Sequence, residues 1–380
     1  MNKNKKIWIS SPHMGGSEEK FVKEAFDTNW VAPVGPNING FENDLEKYLG
    51  QQSHVSAVNT GTAAIHLGLV LLGVKAGDVV LCQTMTFSAS ANPILYQGAT
   101  PVFIDSELDT WNLCPKALES AITDFIVQGK KPKAIIAVHL YGAPYKIEEV
   151  RAISNKYKIP ILEDSAEALG SNYKGQKCGT FGDIGVLSFN GNKIITTSGG
   201  GAIVTHTREI KDRVLFLAMQ SRDNTPHYQH SEIGYNYRLS NISAGIGRGQ
   251  MEVLDSRIQL RRDMHYFYIN VFKSIDEVSV FSVPNDDYFS NYWLTTILVE
   301  PNSAKRFNRE ALRLAFDKAN IESRPLWKPM HLQPIFSHYP YYGGTIAETL
   351  FENGLCLPSG SNLTDAEMDR IKKVILDFFK

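Results

Sequence analysis

The chain has 380 residues, more than a single hydrophobic core usually supports, so its length predicts two domains. Its 39 lysines and arginines are balanced by 40 aspartates and glutamates, and the net charge of −1 does not favour nucleic acid or a membrane surface as a partner. The four cysteines are far apart in sequence, which is typical of reduced thiols in a cytosolic protein rather than of a disulfide framework or a zinc site.

The beginning of the chain carries no visible export signal. Residues 1–6 are basic, but the stretch that follows is too short and too polar for the apolar part of a signal peptide. The longest apolar run, residues 65–74, is far short of the ~20 residues needed to span a bilayer. We therefore expect a soluble, cytoplasmic protein.

The first two-thirds of the chain alternates short β-branched runs with amphipathic stretches. This alternation is typical of a parallel sheet flanked by helices. Helices are predicted at residues 62–72, 88–96 and 147–158. Seven strands are predicted, at residues 54–59, 78–82, 101–105, 133–139, 160–164, 184–189 and 201–205.

The pattern changes near residue 246, where a long charged helical stretch covers residues 250–269. A strand is predicted at residues 292–299, followed by helices at residues 309–319 and 365–379. We therefore expect an α/β fold with a large domain over residues 1–245 and a smaller α+β domain over residues 246–380.

Polar groups follow several predicted strands, and ligands bind at the carboxyl ends of strands in open α/β sheets. Thr60, Gly61 and Thr62 open a helix whose free N–H groups suit a phosphate, although an ordinary N-cap is the better explanation of this segment taken alone. Phe87 can stack on a flat ring or simply pack in a core. Asp164 ends a strand, where it can contact a cofactor or cap the following turn.

Lys193 ends the segment Ser-Phe-Asn-Gly-Asn-Lys and lies between the strands predicted at residues 184–189 and 201–205. A lysine so held can form a Schiff base with an aldehyde cofactor, and pyridoxal phosphate needs a carboxylate such as Asp164 on its ring nitrogen. The hydroxyl of Ser188 is explained equally by a bond to the backbone. His66 and His139 lack the spacing of metal ligands, so no metal is predicted.

Together, these segments resemble the DegT/StrS-type sugar aminotransferases, a fold-type I pyridoxal phosphate family. The similarity extends from Trp-Val-Ala-Pro-Val-Gly-Pro at residues 30–36 to Leu-Cys-Leu-Pro-Ser-Gly at residues 355–360. It implies a mostly parallel, seven-stranded sheet in the large domain. Between these ends, the matching segments in order are Asn-Thr-Gly-Thr, Glu-Asp-Ser-Ala-Glu, Ser-Phe-Asn-Gly-Asn-Lys and Tyr-Asn-Tyr-Arg-Leu-Ser.

The resemblance also implies roles for individual residues. Lys193 would carry the Schiff base and Asp164 would bind the pyridine nitrogen. Glu167 stands where the family often has glutamine beside the ring hydroxyl, which leaves the hydrogen bonds there open because a carboxylate only accepts. Asn236 matches a residue that reaches the phosphate from a neighbouring subunit, which implies a homodimer with shared active sites. The remaining implied contacts are Phe87 stacking on the ring, and Thr60, Gly61, Thr62 and Ser188 around the phosphate.

Members of this family mostly aminate nucleotide-linked keto sugars with glutamate as donor. The segments at residues 87–93, 188–193 and 240–250 are most similar to enzymes that aminate C-4 of UDP-linked 4-keto-6-deoxy-N-acetylglucosamine, on the route to bacillosamine. That substrate and L-glutamate are therefore expected. Candidate contacts to the sugar nucleotide are Tyr235, Arg324, Trp327 and His331.

Two alternatives stay open at the level of sequence. One is amination of another nucleotide sugar, TDP- or GDP-linked, or amination at C-3. The other is a non-catalytic sensor of the cofactor or of a sugar nucleotide, which the presence of both Lys193 and Asp164 disfavours. A sensor that acts on transcription would also need a DNA-binding motif or a basic stripe, and neither is visible.

Overall fold

Three β-sheets organise the protein, which we describe from a computed structural model over residues 5–50, 52–301 and 307–380. The strands in chain order are β1 (His54–Val58), β2 (Val79–Gln83), β3 (Thr100–Ile104), β4 (Ala134–Val138), β5 (Ile161–Asp164), β6 (Asn172–Tyr173), β7 (Gln176–Lys177), β8 (Ile184–Ser188), β9 (Gly201–Thr205), β10 (Val278–Val280), β11 (Tyr288–Phe289), β12 (Thr296–Val299), β13 (Arg324–Pro325), β14 (Tyr341–Tyr342) and β15 (Gly354–Cys356).

Helices cover both faces of the largest sheet and also pack on the smaller sheet of the C-terminal part. They are α1 (Glu18–Asp27), α2 (Pro36–Leu49), α3 (Gly61–Leu71), α4 (Ser88–Tyr96), α5 (Pro115–Val127), α6 (Ile147–Tyr157), α7 (Arg208–Ala218), α8 (Asn241–Met251), α9 (Leu254–Phe272), α10 (Arg309–Lys318), α11 (Ile346–Asn353) and α12 (Asp365–Phe378). None of the helices in the described chain combines the length and apolar character needed to cross a membrane.

The largest sheet has the strand order β1-β9-β8-β5-β4-β2-β3-β14. Within the described residues, only β9 runs against the others, because it pairs antiparallel with both β1 and β8. All seven strands predicted from the sequence are present, and β14 adds an eighth at the edge beside β3. This two-residue strand was not predicted, since its pairing depends on a segment more than 200 residues away in sequence. The fold is the expected α/β architecture.

Apolar side chains bury both faces of this sheet. Helices α3, α4 and α7 pack on one face, and α5 and α6 pack on the other. A third apolar cluster joins α2 and α8 to β1, β8 and β9. Central parallel strands covered on both faces read as continuous apolar runs, which is why the sequence reveals them so clearly.

The C-terminal part has an apolar core of its own. Helices α9, α10 and α12 pack against the sheet β10-β12-β15-β13. The expected boundary between residues 245 and 246 falls inside α8, which packs on α1 and α2. A Cβ on Gly247 would stand 2.7 Å from the Phe41 ring, and one on Gly249 would stand 2.6 Å from the Glu18 nitrogen. The division into two domains at this residue stays a prediction.

Two predicted elements of the C-terminal part differ from the structure. The helix expected over residues 250–269 is two helices, because α8 ends at Met251 and α9 begins at Leu254, where the chain turns toward the small sheet. The strand expected over residues 292–299 begins only at Thr296. The residues before it form an irregular segment. The Trp293 amide donates to Asn291 Oδ1 at 2.8 Å and not to the backbone of a neighbouring strand.

A buried glutamate organises the carboxyl end of β5. Glu163 is fully buried, and its carboxylate accepts hydrogen bonds from His139 Nε2 at 2.7 Å and from the amides of Gly179, Phe181 and Gly182 at 2.6, 2.7 and 2.8 Å. Burial by itself would raise the pKa of Glu163, but these hydrogen bonds outweigh it and hold the pKa below its usual value. The carboxylate therefore ties the 179–182 segment to the strand that carries Asp164.

Replacement of this carboxylate tests its contribution to stability. In Glu163→Gln, an amide NH2 faces at least one buried backbone N–H, so we expect a loss of about 2–4 kcal/mol in the free energy of unfolding at pH 7. The loss should shrink as the pH falls below the usual glutamate pKa, because protonation removes the wild-type advantage. Thermal unfolding of the cofactor-free chain at several pH values measures both effects.

Glu148→Gln is the matched control. Its carboxylate is 61% exposed and pairs with Lys174 at 2.5 Å, so the change should stay within about 0.5 kcal/mol. Equal effects of the two substitutions would contradict an organising role for Glu163.

Candidate active site

A cavity opens at the carboxyl ends of the central strands, with about 910 Å³ of open space that is partly continuous with solvent. Nine residues singled out from the sequence line it: Thr60, Gly61, Thr62, Phe87, Asp164, Glu167, Ser188, Lys193 and Trp327. The structure thus brings together residues that are up to 267 positions apart in the chain.

Asp164 lies at the end of β5 and is only 4% exposed. Its Oδ2 accepts from the hydroxyl of Ser90 at 2.7 Å, and its Oδ1 accepts from the Ala166 amide at 3.1 Å. Within the described ranges, no lysine, arginine or histidine nitrogen lies within 4.0 Å of this carboxylate. A buried carboxylate without a cation is costly, so the site is built for a positively charged group from outside the chain.

Lys193 projects into the same cavity from the connection between β8 and β9. Its Nζ lies 4.2 Å from the centre of the Trp293 ring and 3.7 Å from Glu167 Oε1. The preceding residue is held firmly, because the Asn192 carbonyl accepts from Trp293 Nε1 and from Ser10 Oγ, both at 2.7 Å. The lysine side chain is only 12% exposed, unlike that of an ordinary surface lysine.

The amino end of α3 forms a third side of the cavity. Thr60 is its N-cap and accepts from the Ala63 amide at 2.9 Å. The first N–H groups of a helix have no acceptor within the helix, and together with the helix dipole they favour an anion. Backbone packing is close here, since a Cβ on Gly201 would stand 2.6 Å from the Gly61 nitrogen and one on Gly61 would stand 3.0 Å from Ser188 Cβ. Glycine at both positions lets the amino end of α3 pack this closely against β8 and β9.

Aromatic side chains form the outer wall. The rings of Phe87 and Trp327 lie 5.5 Å apart, with Phe87 54% exposed at the N-cap of α4. On the other side of this pair is a second cleft, which Lys328, Gln333 and Ile335 help to line. The two clefts together offer room for a flat ring and for a larger ligand beside it.

Four residues singled out from the sequence lie outside this cavity. Arg324 pairs with Glu322 at 2.7 Å and lines a separate polar cleft. His331 bonds Thr84 at 2.7 Å and Glu348 at 3.1 Å. The structure therefore gives these two side chains local partners and does not bring them to Lys193.

The other two residues outside the cavity flank α3. Tyr235 stacks on Tyr237 at 5.1 Å and packs on His66 at 5.0 Å. Asn236 is exposed, and its carbonyl accepts from Asn59 Nδ2 at 3.3 Å. Neither residue lines the Lys193 cavity of its own chain.

Sequence reasoning missed several residues of the cavity, most clearly Ser90 and Trp293. Ser90 lies in the first turn of α4, and nothing in its local sequence distinguishes it from any other serine of a helix. Trp293 lies within the strand predicted at residues 292–299, where an aromatic side chain indicates a core position. Their roles come from contacts across 74 and 101 positions of sequence, to Asp164 and Asn192. No local pattern indicates such contacts.

A separate buried trio behind the cavity has the residue types of a metal site. One ligand atom each from His139, Glu163 and Cys178 lies within 4.8 Å of the others. Both oxygens of Glu163 already accept from His139 or from backbone amides. Burial also raises the pKa of the Cys178 thiol well above its usual value, which disfavours the thiolate that metals bind. The hydrogen bonds of Glu163 and His139 therefore explain this cluster as part of the packing around β5.

A largely buried lysine shares this cavity with a buried aspartate that has no cation within 4.0 Å among the described residues, and such a pair is typical of enzymes with an aldehyde cofactor. The family model of the DegT/DnrJ/EryC1/StrS aminotransferase family matches residues 12–376. The chain belongs to this family and is a sugar aminotransferase that depends on pyridoxal phosphate.

Relatives of similar length support this assignment. The chain is 50% identical over 380 residues to the putative pyridoxal phosphate-dependent aminotransferase EpsN of Bacillus subtilis, covering 99% of this chain and 96% of that one. It is 38% identical over 378 residues to the GDP-perosamine synthase of Escherichia coli O157:H7, covering 99% of both. GDP-perosamine synthases of Caulobacter vibrioides and Vibrio cholerae are 34% and 33% identical.

Solved structures show the same fold. A DegT DnrJ EryC1 StrS aminotransferase from Brucella abortus has a TM-score of 0.88 at 30% identity, over 96% of this chain and 95% of that one. The PLP-form of the putative sugar aminotransferase Spr1654 from Streptococcus pneumoniae has a TM-score of 0.88 at 27% identity, over 99% and 100%.

The residues present fit pyridoxal phosphate. The cation-free carboxylate of Asp164 suits a protonated ring nitrogen, and the amine of Lys193 suits the aldehyde. The open amino end of α3 beside Ser188 suits the phosphate. Each chemical feature of the cofactor thus has a matching group in one cavity.

Proposed function

We propose that this protein transfers an amino group from L-glutamate to a nucleotide-linked keto sugar. The observation that carries the proposal is the meeting of Lys193 with the cation-free carboxylate of Asp164 in one cavity. Bound pyridoxal phosphate supplies an electron sink that stabilises negative charge on the donor's α-carbon. A sensor would need the binding groups alone, whereas this cavity also holds a reactive amine.

In this proposal, the residues of the chain divide the work. Asp164 keeps the ring nitrogen protonated, and Ser90 holds that carboxylate in place. The amine of Lys193 removes the proton from the donor's α-carbon as general base and gives it up again as general acid within the same half of the reaction, and in the second half it delivers a proton to the sugar carbon that takes the amine. Thr60, Gly61, Thr62 and Ser188 bind the phosphate. Phe87 stacks on the ring and Glu167 lies beside the ring hydroxyl.

We also propose a homodimer with shared active sites. Asn236 lies outside the cavity of its own chain, so its contact to a phosphate requires a second copy. Exposed apolar side chains on the same part of the molecule, Trp30, Val31, Val34 and Tyr96, are 41–58% exposed and offer a surface for it. Tyr235 beside Asn236 can then line the partner's cleft.

Two different keto sugars each have support as the acceptor of the amino group. The resemblance of residues 87–93, 188–193 and 240–250 favours UDP-linked 4-keto-6-deoxy-N-acetylglucosamine, aminated at C-4. Three full-length relatives named as GDP-perosamine synthases favour a GDP-linked keto sugar instead. The cleft beyond Phe87 and Trp327 is the place for the nucleotide-linked part of either one.

The donor half of the reaction gives the first test. Purified protein should be yellow, and L-glutamate should bleach it because the amino group moves to the cofactor. Lys193→Ala should yield no adduct at residue 193 after borohydride reduction, and its absorbance should not respond in the same way. The surface variant Lys174→Ala serves as control and should behave as the wild type does. A wild-type spectrum that no amine donor changes would favour the sensor.

Substitution of the aspartate gives a second test. In Asp164→Asn, turnover should fall by about two orders of magnitude or more, because an amide does not hold the ring nitrogen protonated. Borohydride should still fix the cofactor to Lys193. Ser90→Ala removes only one hydrogen bond to Asp164, so a loss of about tenfold is expected. Steady-state kinetics measures both variants, and near-normal turnover of Asp164→Asn would contradict its role.

The identity of the acceptor is the third test. Enzyme bleached by glutamate should recover its colour when it receives the correct keto sugar. The UDP-, GDP- and TDP-linked 4-keto sugars are supplied in separate reactions, and NMR locates the new amine at C-3 or C-4. Preference for a GDP-linked sugar would reject the UDP assignment and leave the aminotransferase assignment intact.

A further inference from the structure

Arg261 is a fully buried arginine that no step of the proposed function uses. It lies on α9 and is only 1% exposed. In the described ranges, no carboxylate oxygen lies within 4.0 Å of its guanidinium, which donates to three neutral oxygen atoms instead. A buried cation without an acid is costly, and this cost directs attention to the groups that the guanidinium holds.

One of these groups is the hydroxyl of Ser10. Arg261 Nη2 donates to Ser10 Oγ at 2.8 Å, and Ser10 Oγ donates to the Asn192 carbonyl at 2.7 Å. A guanidinium can only donate, so the hydroxyl accepts from it and directs its single proton at Asn192. Arg261 thus sets the direction in which Ser10 holds the residue before Lys193.

The other group is the backbone of Trp293. Arg261 Nη1 donates to the Trp293 carbonyl at 2.5 Å and to the Ser359 carbonyl at 3.2 Å. Trp293 Nε1 donates to the same Asn192 carbonyl at 2.7 Å, and the centre of the Trp293 ring lies 4.2 Å from Lys193 Nζ. One guanidinium therefore holds both side chains that donate to the Asn192 carbonyl, and with them the ring that the amine contacts.

We propose that Arg261 is a positioning residue for the amine of Lys193. A lysine side chain has many rotamers, and a fixed backbone and a fixed ring reduce the positions open to its amine. A misplacement of about 1 Å can slow a reaction by up to about 100-fold. The planar guanidinium reaches Ser10 and Trp293 at the same time, which the single ammonium of a lysine at this position does not reproduce in full.

The inference rests on the proposed function, because it concerns the lysine that joins the cofactor. An arginine that only stabilised the fold would change the unfolding temperature when it is replaced. An arginine that positions Lys193 also changes the rate at which the amine reacts in the folded protein. The two roles are therefore separable by experiment.

Reaction of the cofactor-free full chain with pyridoxal phosphate tests the position of the amine. Saturating pyridoxal phosphate is added well below the unfolding temperature, borohydride stops the reaction at successive times, and mass spectrometry measures the adduct at residue 193. Arg261→Met keeps a long side chain without donors, so the adduct should form at least about tenfold more slowly than in the wild type. Arg261→Lys keeps some donors and should lie between the two.

Arg262→Met is the matched control on the same helix. Arg262 donates to the Ser290 carbonyl at 2.6 Å and lies 4.2 Å from the centre of the Phe289 ring, so its loss also removes a hydrogen bond and packing. It makes no contact with Ser10 or with Trp293 that would pass to Lys193. Its adduct should form at the wild-type rate, and equal slowing in both methionine variants would overturn the proposal.

Ser10→Ala tests the path from the arginine to the lysine. It removes one of the two donors to the Asn192 carbonyl, so we expect adduct formation to slow about threefold. When Ser10→Ala is combined with Arg261→Lys, the loss should be smaller than the product of the separate losses, because both substitutions break the same link. A loss equal to that product would overturn the proposal.

A wild-type rate in Arg261→Met would overturn it as well. If Arg261→Met does not fold, Arg261→Lys and Ser10→Ala decide in its place, and wild-type rates in both of them contradict a positioning role. Thermal unfolding of each variant shows which of them are folded at the temperature of the experiment.

The outcome is distinguishable from that of the proposed function. Adduct formation needs only the amine and the aldehyde, whereas the proposed function also needs an amino donor and a keto sugar. If glutamate fails to bleach the loaded wild type while the variants slow in the expected order, the proposed function fails and the positioning role stands. If bleaching is normal while the Arg261 variants react at the wild-type rate, the aminotransferase assignment stands and the positioning role fails.

Discussion

The parallel pairing of β5 with β8 is the constraint on which the site depends. In this register Asp164 lies opposite Val186, so the carboxylate and the start of the Lys193 segment leave the sheet at the same edge. The 179–182 segment lies so close to β8 that residue 185 must be glycine, since a Cβ there would stand 2.0 Å from the Gly179 carbonyl oxygen. That glycine lets the 179–182 segment lie over the sheet, where its amides meet Glu163. The pairing of β5 with β8, the glycine at residue 185 and the buried carboxylate of Glu163 thus together hold the end of β5 in place.

The antiparallel strand β9 completes this arrangement. After β8, the chain turns back beside β1 instead of crossing to a distant strand, and Lys193 lies in the turn. The turn is fixed at the Asn192 carbonyl by Trp293 and Ser10, which come from the C-terminal part and from the N-terminal segment. The lysine therefore depends on three separate regions of the chain, and this explains how a side chain with many rotamers reaches one defined position.

The sequence-selected residues that line the cavity share a local cause. Thr60, Asp164 and Lys193 each follow or precede a strand whose apolar run is plain in the sequence, and the carboxyl ends of parallel strands converge. Arg324 and His331 lie in short or irregular segments, where no periodicity indicates which way a side chain points. Their nearest partners, Glu322, Thr84 and Glu348, determined their positions instead. The late start of β12 has the same origin, since the side chain of Asn291 satisfies the backbone of Trp293.

The sequence by itself determined the alternation of strands and helices, the chemical types at the strand ends and the family to which the chain belongs. These follow from short-range periodicity and from segments of a few residues, which are visible without a fold. Only the tertiary structure decided that Asp164 is buried with no cation within 4.0 Å among the described residues, and that Glu167 Oε1 lies 3.7 Å from Lys193 Nζ. Burial and charge depend on every group within a few ångströms, and those groups come from positions far apart in the chain.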